Sequence, residues 1–185
     1  MGNPLEVIER SIRDAPVVDR DGYEYFVHGI TDGIPRVEPS VVRAIAAGIA
    51  DEVDLEAVDY LVAPEAMGIH HATALSLETD VPFVVVRKRS YGFPDEVAVH
   101  QETAYGESDL HVNGLEADDR VVLVDDVLSS GSTIRAVCAG LEEIGVDLVD
   151  VIVVLRRVDT DHGELPVDVR SLLDVRVEDG RVVVL

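Results

Sequence analysis

Two adjacent carboxylates followed by a run of small hydroxyl residues form the most informative pattern in this chain. In the segment 121–133, VVLVDDVLSSGST, four apolar residues precede Asp125 and Asp126. Carboxylates in this position can accept hydrogen bonds from sugar hydroxyls or help to hold a hydrated Mg²⁺. Small residues before a helix let backbone N–H groups converge on a phosphate. Here these small residues are Ser129, Ser130, Gly131, Ser132 and Thr133. The pattern predicts a site for a phosphorylated ribose; the alternative is an ordinary strand-to-helix turn with an acidic end.

This segment resembles the phosphoribosyl-pyrophosphate (PRPP) signature of type I phosphoribosyltransferases, in which an acidic pair precedes a Gly-rich loop of Thr and Ser. Many of those enzymes carry Gly-Gly-Thr where this chain has Gly-Ser-Thr at 131–133. Serine should keep the amide donors while limiting backbone freedom at position 132. The resemblance implies that residues 129–133 bind the 5′-phosphate of PRPP and that Asp125 and Asp126 are catalytic. It also implies Mg²⁺ as a cofactor held through PRPP, with the two carboxylates as its candidate protein ligands.

The segment 63–76, APEAMGIHHATALS, follows an apolar run and opens a helical pattern. Its beginning resembles the pyrophosphate loop of adenine-type phosphoribosyltransferases, where small residues let backbone amides turn toward an anion. The resemblance implies a pyrophosphate-binding set of Glu65, Ala66, Met67 and Gly68. His70 and His71 follow, but adjacent residues on a helix point about 100° apart, so we do not expect them to share a metal ion.

The chain has one lysine, Lys88, and it stands between Arg87 and Arg89 in the segment 86–91, VRKRSY. A solvated basic patch is the simpler interpretation. Because so acidic a chain keeps lysine only here, we expect Lys88 to contact an anion. The resemblance implies that Arg87 and Lys88 contact pyrophosphate, and this contact can also be made across a dimer interface. Lys88 is therefore counted with the acid pair among the catalytic residues.

The segment 89–119 interrupts the alternation of strand and helix patterns. A connection of about thirty residues rich in Gly, Pro and polar side chains predicts an active-site lid or a projecting hairpin. The resemblance implies a lid that closes over PRPP and excludes water, because a ribosyl cation would otherwise be hydrolysed. The implied lid residues are Tyr91, His100, Glu102 and Tyr105.

The proton donor and acceptor are not assigned by the resemblance. Adenine-type enzymes commonly place a Glu where this chain has Ala104, and the hypoxanthine-guanine class commonly places an acid where it has Ser129. Glu102 and Asp32 remain as candidates. Mammalian-type hypoxanthine-guanine enzymes use C-terminal hood residues that include a lysine, whereas no lysine follows Leu155 here. The resemblance therefore implies base binding by an N-terminal hood, residues 1–39. Its base-binding residues are expected to be Phe26, Ile30, Thr31 and Asp32, with an aromatic or apolar side chain against a flat ring.

The surrounding elements have the pattern of a doubly wound α/β sheet. A helix is expected around Leu5–Ile12 and another after Ser40 as its N-cap. Four short apolar runs separated by helical segments predict parallel strands joined by right-handed crossovers. These runs are Tyr60–Ala63, Phe83–Val86, Val121–Val124 and Val149–Leu155, and a strand pair is expected at 169–177 and 181–185. At 185 residues the chain fits a single domain, 1–185.

Composition narrows the possible partners. The net charge is -22, with 37 acidic and 15 basic residues, so a nucleic-acid surface is not expected. An acidic surface poor in lysine resembles proteins of salt-loving organisms. One cysteine, Cys138, allows no internal disulfide and favours a reducing cytoplasm. Neither an export leader nor a membrane span is expected.

The layout as a whole resembles the archaeal hypoxanthine/guanine phosphoribosyltransferase subfamily, whose design is similar to adenine phosphoribosyltransferase. The resemblance covers nearly the entire chain and implies a type I phosphoribosyltransferase fold and a homodimer. The implied reaction is purine salvage from PRPP and a purine base, with hypoxanthine or guanine favoured. An adenine or xanthine enzyme and a non-catalytic PRPP or nucleotide sensor remain as alternatives.

Overall fold

The computed structural model describes residues 2–20, 22–103 and 106–185. In chain order its elements are α1 (Pro4–Ile12), β1 (Val17–Arg20), β2 (Tyr23–Phe26), α2 (Pro39–Glu52), β3 (Tyr60–Pro64), α3 (Gly68–Thr79), β4 (Phe83–Val86), β5 (Val97–Thr103), β6 (Gly106–Val112), β7 (Arg120–Leu128), α4 (Ser132–Ile144), β8 (Asp147–Arg157), β9 (Arg170–Glu178) and β10 (Arg181–Val184).

Six of these strands form the central sheet, in the order β10-β9-β8-β7-β3-β4. All neighbours are parallel except β9 and β10, which form an antiparallel pair. Strand β3 leads through α3 to β4 on one side, and β7 leads through α4 to β8 on the other. The direction of winding therefore reverses between β3 and β7, and open α/β sheets bind ligands beyond the strand ends at such a point. The prediction of a doubly wound, mainly parallel sheet is confirmed.

The two faces of the sheet are covered by different layers because successive side chains of each strand point to opposite faces. From β7, Val122 and Val124 pack toward α1, α2 and α3. Val121 and Leu123 pack toward α4 and the hairpin β5–β6. All four are fully buried, which explains why this strand has no polar alternation.

Two short hairpins flank the sheet. The first, β1–β2, pairs Val17 with Phe26 and forms part of the predicted hood. The second, β5–β6, lies within the predicted lid segment, and apolar side chains of this hairpin pack on α4. An added Cβ on Gly140 of α4 would lie 3.1 Å from Val99 Cγ1, so the hairpin and the helix are in close contact.

The N-terminal helix forms as expected, and Asn3 caps it by accepting a hydrogen bond from the Leu5 N–H. Helix α2 begins two residues earlier than expected. Pro39 occupies its first turn and Glu38 is the N-cap, so Ser40 lies inside the helix. Proline suits this position because the first N–H groups of a helix have no partner within it. Across the described residues, none of the helices combines the length and the apolar character needed to cross a membrane.

Candidate active site

The acid pair lies at the reversal of winding, inside β7 and not beyond its end. The sequence interpretation ended this strand at Val124, but β8 continues to pair with β7 up to Leu128. Strand β3 pairs with β7 only as far as Leu123. The edge of β7 that carries Asp125 and Asp126 therefore has no paired strand on the β3 side, which is the position where open α/β sheets form a ligand crevice.

Asp125 is 6% exposed, and its Oδ1 accepts a hydrogen bond from the Asp126 N–H at 2.9 Å. Burial raises the pKa of Asp125 to about 6, while hydrogen bonds and the charge of Lys88 oppose the rise. Burial and the charge of Asp125 likewise raise the pKa of Asp126. The pair thus tends to keep a proton until a ligand supplies donors or positive charge.

Gly68 lets the loop after β3 pass close to this pair. An added Cβ would lie 3.0 Å from the Val124 carbonyl oxygen and 3.2 Å from Asp125 Oδ1. Contacts this short are rare for a real Cβ, so a side chain would force the loop away from the carboxylates. The start of α3 and the acid pair are in this way held against each other.

The predicted phosphate loop runs into α4, whose N-cap is Gly131 with φ 75°. An added Cβ there would meet Leu165 Cδ2 at 2.7 Å and the His162 carbonyl oxygen at 2.9 Å. Arg135 also supports the loop, because its guanidinium donates to the carbonyl oxygens of His162 at 2.6 Å and Ser130 at 2.9 Å. The start of this 13-residue helix, with small residues at its end, presents backbone N–H groups of the kind that bind phosphate.

Side chains from distant segments of the chain form hydrogen bonds with residues of the phosphate loop. The Tyr23 hydroxyl lies 2.9 Å from Ser129 Oγ, and Thr160 donates to the Ser129 carbonyl oxygen at 3.0 Å. Buried Gln101 donates from Nε2 to Thr133 Oγ1 at 2.7 Å. The hood, the β5–β6 hairpin and the segment after β8 therefore all reach the phosphate loop.

Two of the expected pyrophosphate residues, Arg87 and Lys88, contact Glu65. The Glu65–Ala66 peptide bond is cis. Glu65 Oε2 lies 3.2 Å from Arg87 Nε and accepts a hydrogen bond from the Lys88 N–H at 3.3 Å. Glu65 thus positions the two basic residues at the end of β4, which is a different role from contacting an anion itself. The Met67 side chain is turned toward the hood, since an added Cβ on Gly33 would lie 3.6 Å from Met67 Cε.

Glu96 holds the segment before β5 in place through hydrogen bonds. Its carboxylate accepts hydrogen bonds from Ser90 Oγ, from the Tyr91 N–H at 2.9 Å and from Asn113 Nδ2 at 3.0 Å. These donors lower the pKa of Glu96 to about 2, and the Ser90 hydroxyl has the largest effect. The Tyr91 hydroxyl accepts from Arg89 Nη2 at 3.0 Å, which links this proposed lid residue to the basic stretch.

The remaining lid residues lie along the hairpin. His100 Nδ1 and Asp109 Oδ1 are 3.1 Å apart across β5 and β6. Tyr105, like Ala104, lies outside the described residues, and so does the side chain of Glu102.

A small cleft beside Ser129 is lined by three residues of the hood segment, Tyr25, Phe26 and Thr31. Val127 from β7 and Arg157 from β8 complete it. Asp32 next to this cleft accepts hydrogen bonds from the Tyr25 hydroxyl at 2.5 Å, the Thr31 hydroxyl at 2.6 Å and the His28 N–H at 3.0 Å. Its carboxylate is thereby fixed in one orientation.

Ile30 does not line this cleft, which corrects the expectation that it contacts the base. The turn closed by the Asp32 N–H and the His28 carbonyl oxygen, 2.8 Å apart, directs Ile30 into the core. It is 2% exposed there and packs with the residues under α2 and α3.

Arg157 is a site residue that the sequence did not indicate. It is 4% exposed, forms an ion pair with Asp159 at 2.6 Å, and donates from Nη1 to the Tyr23 hydroxyl at 3.0 Å and to the Glu24 carbonyl oxygen at 2.8 Å. Its guanidinium carbon lies 5.0 Å from the centre of the Tyr23 ring. One cation therefore joins the hood to the end of β8 and, through Tyr23, to the phosphate loop.

No metal site of the usual protein kind is present in the described part of the chain, where no three His, Cys, Asp or Glu side chains come together. The rings of His70 and His71 are 4.0 Å apart and tilted by 47°.

The family is decided by comparison with known proteins. Residues 37–177 match the model of the phosphoribosyl transferase domain. The chain belongs to the phosphoribosyltransferase family. The chain is 67% identical, over its full 185 residues and the full length of the relative, to HGPRTase-like protein 3 of Haloterrigena turkmenica. It is 50% identical over 181 residues to HGPRTase-like protein 2 of Haloquadratum walsbyi, covering 97% of this chain and 99% of that one.

Solved phosphoribosyltransferase structures have the same fold. Adenine phosphoribosyltransferase of Saccharomyces cerevisiae superimposes with a TM-score of 0.77 at 21% identity, covering 94% of this chain and 100% of that one. The enzyme of Rhodothermus marinus gives a TM-score of 0.76 at 23% identity, with 94% and 99% covered. The expected type I phosphoribosyltransferase fold is thus confirmed. The chain is a PRPP-dependent glycosyltransferase of the purine phosphoribosyltransferase type.

Proposed function

We propose that this phosphoribosyltransferase works in purine salvage and transfers the 5-phosphoribosyl group of PRPP to hypoxanthine or guanine, giving a nucleoside 5′-monophosphate and pyrophosphate. The observation that carries the proposal is the position of the acid pair near the end of β7, the strand directly before the loop 129–133, with Ser129 of that loop lining the hood cleft. The preference for a 6-oxopurine is supported by full-length similarity to relatives named HGPRTase-like.

In this proposal the crevice holds PRPP by its two ends. Backbone N–H groups of residues 130–133 bind the 5′-phosphate, and Asp125 and Asp126 accept hydrogen bonds from the ribose hydroxyls. A bond forms between a ring nitrogen of the base and the anomeric carbon as the bond to pyrophosphate breaks. The two carboxylates stabilise the positive charge that develops on the sugar, and Arg87 and Lys88 stabilise the departing anion.

The residues present fit a magnesium ion that is held mainly by the substrate. Mg²⁺ usually keeps several waters and takes one or two carboxylates together with phosphate oxygens. Asp125 and Asp126 would supply those carboxylates, and their raised pKa values indicate a pair that is short of positive charge. When bound, the ion would neutralise charge on the pyrophosphate.

The proton that leaves the ring nitrogen needs an acceptor, and we propose Asp32. It stands beside the cleft with its carboxylate held by Tyr25, Thr31 and His28, so an incoming base would meet an oriented acceptor. Asp32→Asn should lower kcat more than it raises the KM for PRPP. A change confined to KM would assign Asp32 to binding alone.

The test of the function is turnover by the purified full chain with PRPP and Mg²⁺ in molar salt, offering hypoxanthine, guanine, adenine and xanthine singly and in pairs. Preferential use of hypoxanthine or guanine supports the proposal. Preference for adenine or xanthine would replace it with that specificity. Binding of PRPP without turnover of any base would favour a sensor.

We also propose a homodimer formed through the outer edge of the sheet. Strand β4 is the last strand of the sheet, its residues Phe83, Val84 and Val85 are half-buried, and Phe93 beside it is 62% exposed. A cavity of about 520 Å³ lies between β4 and Phe93 and ends at Arg87. A second copy covering this edge would explain the exposed apolar side chains and would bring its own residues near the pyrophosphate site. Phe93→Glu should give a monomer in sedimentation experiments, and an unchanged dimer would place the interface elsewhere.

The proposed setting is the cytoplasm of a salt-loving archaeon. The low lysine content, the charge of -22 and the haloarchaeal relatives support the habitat. A single buried cysteine is compatible with a reducing compartment.

A further inference from the structure

A cavity of about 320 Å³ lies behind the hood, between the end of α1, the residues that follow β2, and the first turns of α2 and α3. Its walls are mostly apolar, with Ala15, Val27, Val42 and Ile45 among them. It shares no lining residue with the cleft beside Ser129. The cavity is therefore separate from the transferase crevice.

His71 supplies the polar group that distinguishes this cavity. It lines the cavity and is fully buried. Its Nε2 lies 3.2 Å from the Ile30 carbonyl oxygen. Because a carbonyl only accepts, Nε2 carries the proton and Nδ1 is left as an acceptor. Nothing within the described ranges 2–20, 22–103 and 106–185 donates to that Nδ1.

Three histidines line this cavity, and burial disfavours the charged form of each. Burial, with a smaller effect of His70, lowers the pKa of His71 to about 3, and burial also lowers the pKa values of His70 and His28. Nε2 of His70 is a second buried nitrogen that has no partner in the part of the chain described. A buried polar atom without a partner destabilises the protein, and a ligand that donates a hydrogen bond removes that cost.

The charges around the cavity favour an uncharged ligand. Asp14 and Glu38 are exposed carboxylates on its rim, and the one rim cation, Arg36, is already paired with Glu38. An anion would meet a rim of net negative charge. The volume is at the lower end of the range for small-molecule sites, so the ligand is little larger than one or two fused rings or a ring with a sugar.

We propose that this cavity is a second ligand site, which binds an uncharged planar nitrogen heterocycle, a free purine base or its nucleoside, through an N–H group that donates to Nδ1 of His71. Helix α3 carries His71 and begins at Gly68, the last residue of the proposed pyrophosphate-binding set. One rigid element thus connects the cavity with the crevice. The inference goes beyond the proposed function, because binding at His71 does not depend on which base is turned over.

The proposal can be tested by NMR of the full chain labelled with ¹⁵N-histidine, titrated with hypoxanthine, adenine, inosine and adenosine in the absence of PRPP. We expect at least one of these probes to give a saturable upfield shift of the His71 Nδ1 resonance while Nε2 stays protonated. If none of the four moves that resonance at millimolar concentration, the proposal is wrong, whatever the turnover assays give.

A cavity-filling variant separates this site from the crevice. Val42 is half-buried on α2, so Val42→Phe should fill the cavity and weaken binding at His71 by about tenfold or more. Val42→Ala is the matched control, which leaves the cavity open and should keep the binding. Transferase turnover should be unchanged in both. Equal affinity in Val42→Phe and the wild type would overturn the assignment.

Discussion

The carboxyl groups of Asp125 and Asp126 have little access to water, and this burial changes their pKa values. Burial raises both pKa values, and the charge of Asp125 raises that of Asp126 further, so the unliganded pair retains a proton at mildly acidic pH. Ribose hydroxyls and a cation favour the ionised pair. Binding of PRPP should therefore release a proton and should strengthen as the pH rises through about 6.

The same pair makes stability depend on pH in a direction that can be checked. A carboxyl whose folded pKa is raised from 3.8 to about 6 stabilises the fold below pH 4, and that contribution is lost as the pH rises through 6. Relative to Asp125→Asn, the wild type should lose about 2 kcal/mol of unfolding free energy between pH 4 and 7. Urea unfolding of both proteins across this range measures the difference.

An exposed carboxylate gives the control for this measurement. Asp51→Asn on the outer side of α2 should show no such trend with pH. The variant Asp125→Asn/Asp126→Asn should stay folded and lose PRPP-dependent turnover. A pH-independent difference between wild type and Asp125→Asn would contradict the raised pKa, and retained turnover in the double variant would refute the ribose assignment.

Lys88 is proposed to act on the pyrophosphate end of the substrate. Glu65 holds its backbone, while its side chain is exposed and its charge acts on Asp125. Lys88→Ala should weaken pyrophosphate binding about tenfold to a hundredfold, the range for a lost charge-assisted hydrogen bond, and should leave base affinity nearly unchanged. Product-inhibition kinetics with pyrophosphate measure this.

The neighbouring Arg89 provides a matched comparison. Arg89→Ala removes the same charge from a side chain that is bonded to Tyr91, and its effect on pyrophosphate should be smaller. Equal losses of pyrophosphate and base affinity in Lys88→Ala would indicate a structural role for Lys88.

At the scale of elements, local apolar pattern was enough to predict the sheet. The run Val121–Val124 has no polar alternation because the strand is covered on both faces, and the burial of all four residues bears this out. The end of the strand was not predictable in the same way. Whether Asp125 to Leu128 remain in β7 depends on pairing with β8, which lies more than twenty residues further along the chain.

Site residues were predictable where their chemistry is local and were missed where it depends on distant partners. The phosphate loop could be recognised from its own residues. Arg157 could not, since its partner Tyr23 lies 134 residues away. Gln101 was assigned only to the lid region, although its amide bonds to Thr133. Ile30 was misplaced because the turn at His28 and Asp32 sets which way its side chain points.

The link between the hood and β8 is itself testable. Arg157→Met removes a buried cation from Asp159 and from the Tyr23 hydroxyl, so it should destabilise the fold by about 3 kcal/mol. Tyr23→Phe keeps the ring but loses the hydroxyl between Arg157 and Ser129, and should cost about 1 kcal/mol. Both variants should raise the KM for the base.

A double-mutant cycle decides whether the two residues act as one unit. If they do, the combined variant should be less destabilised than the sum of the single changes, because the shared hydrogen bond is lost only once. Strict additivity in urea unfolding would mean that Arg157 and Tyr23 support the cleft independently.

For the whole molecule, the dominant property is a net charge of -22 on 185 residues. Charges of one sign repel one another over distances set by the ionic strength, with a Debye length of about 10 Å at 0.1 M salt and 3 Å at 1 M. The folded state concentrates these charges and gains most from screening. The melting temperature should therefore rise by about 10 °C or more between 0.1 M and 2 M KCl.

The contribution of charge can be separated from general salt effects by reducing the charge. Four exposed acidic residues on different elements, Asp51, Glu56, Glu142 and Glu164, can be replaced by lysine away from the crevice. This variant should melt at a higher temperature than the wild type in 0.1 M KCl and at nearly the same temperature in 2 M KCl, because screening then replaces the removed repulsion. If the wild type melts as high in 0.1 M as in 2 M KCl, the acidic surface is not an adaptation to salt. If both proteins gain equally from salt, the gain comes from strengthened apolar burial.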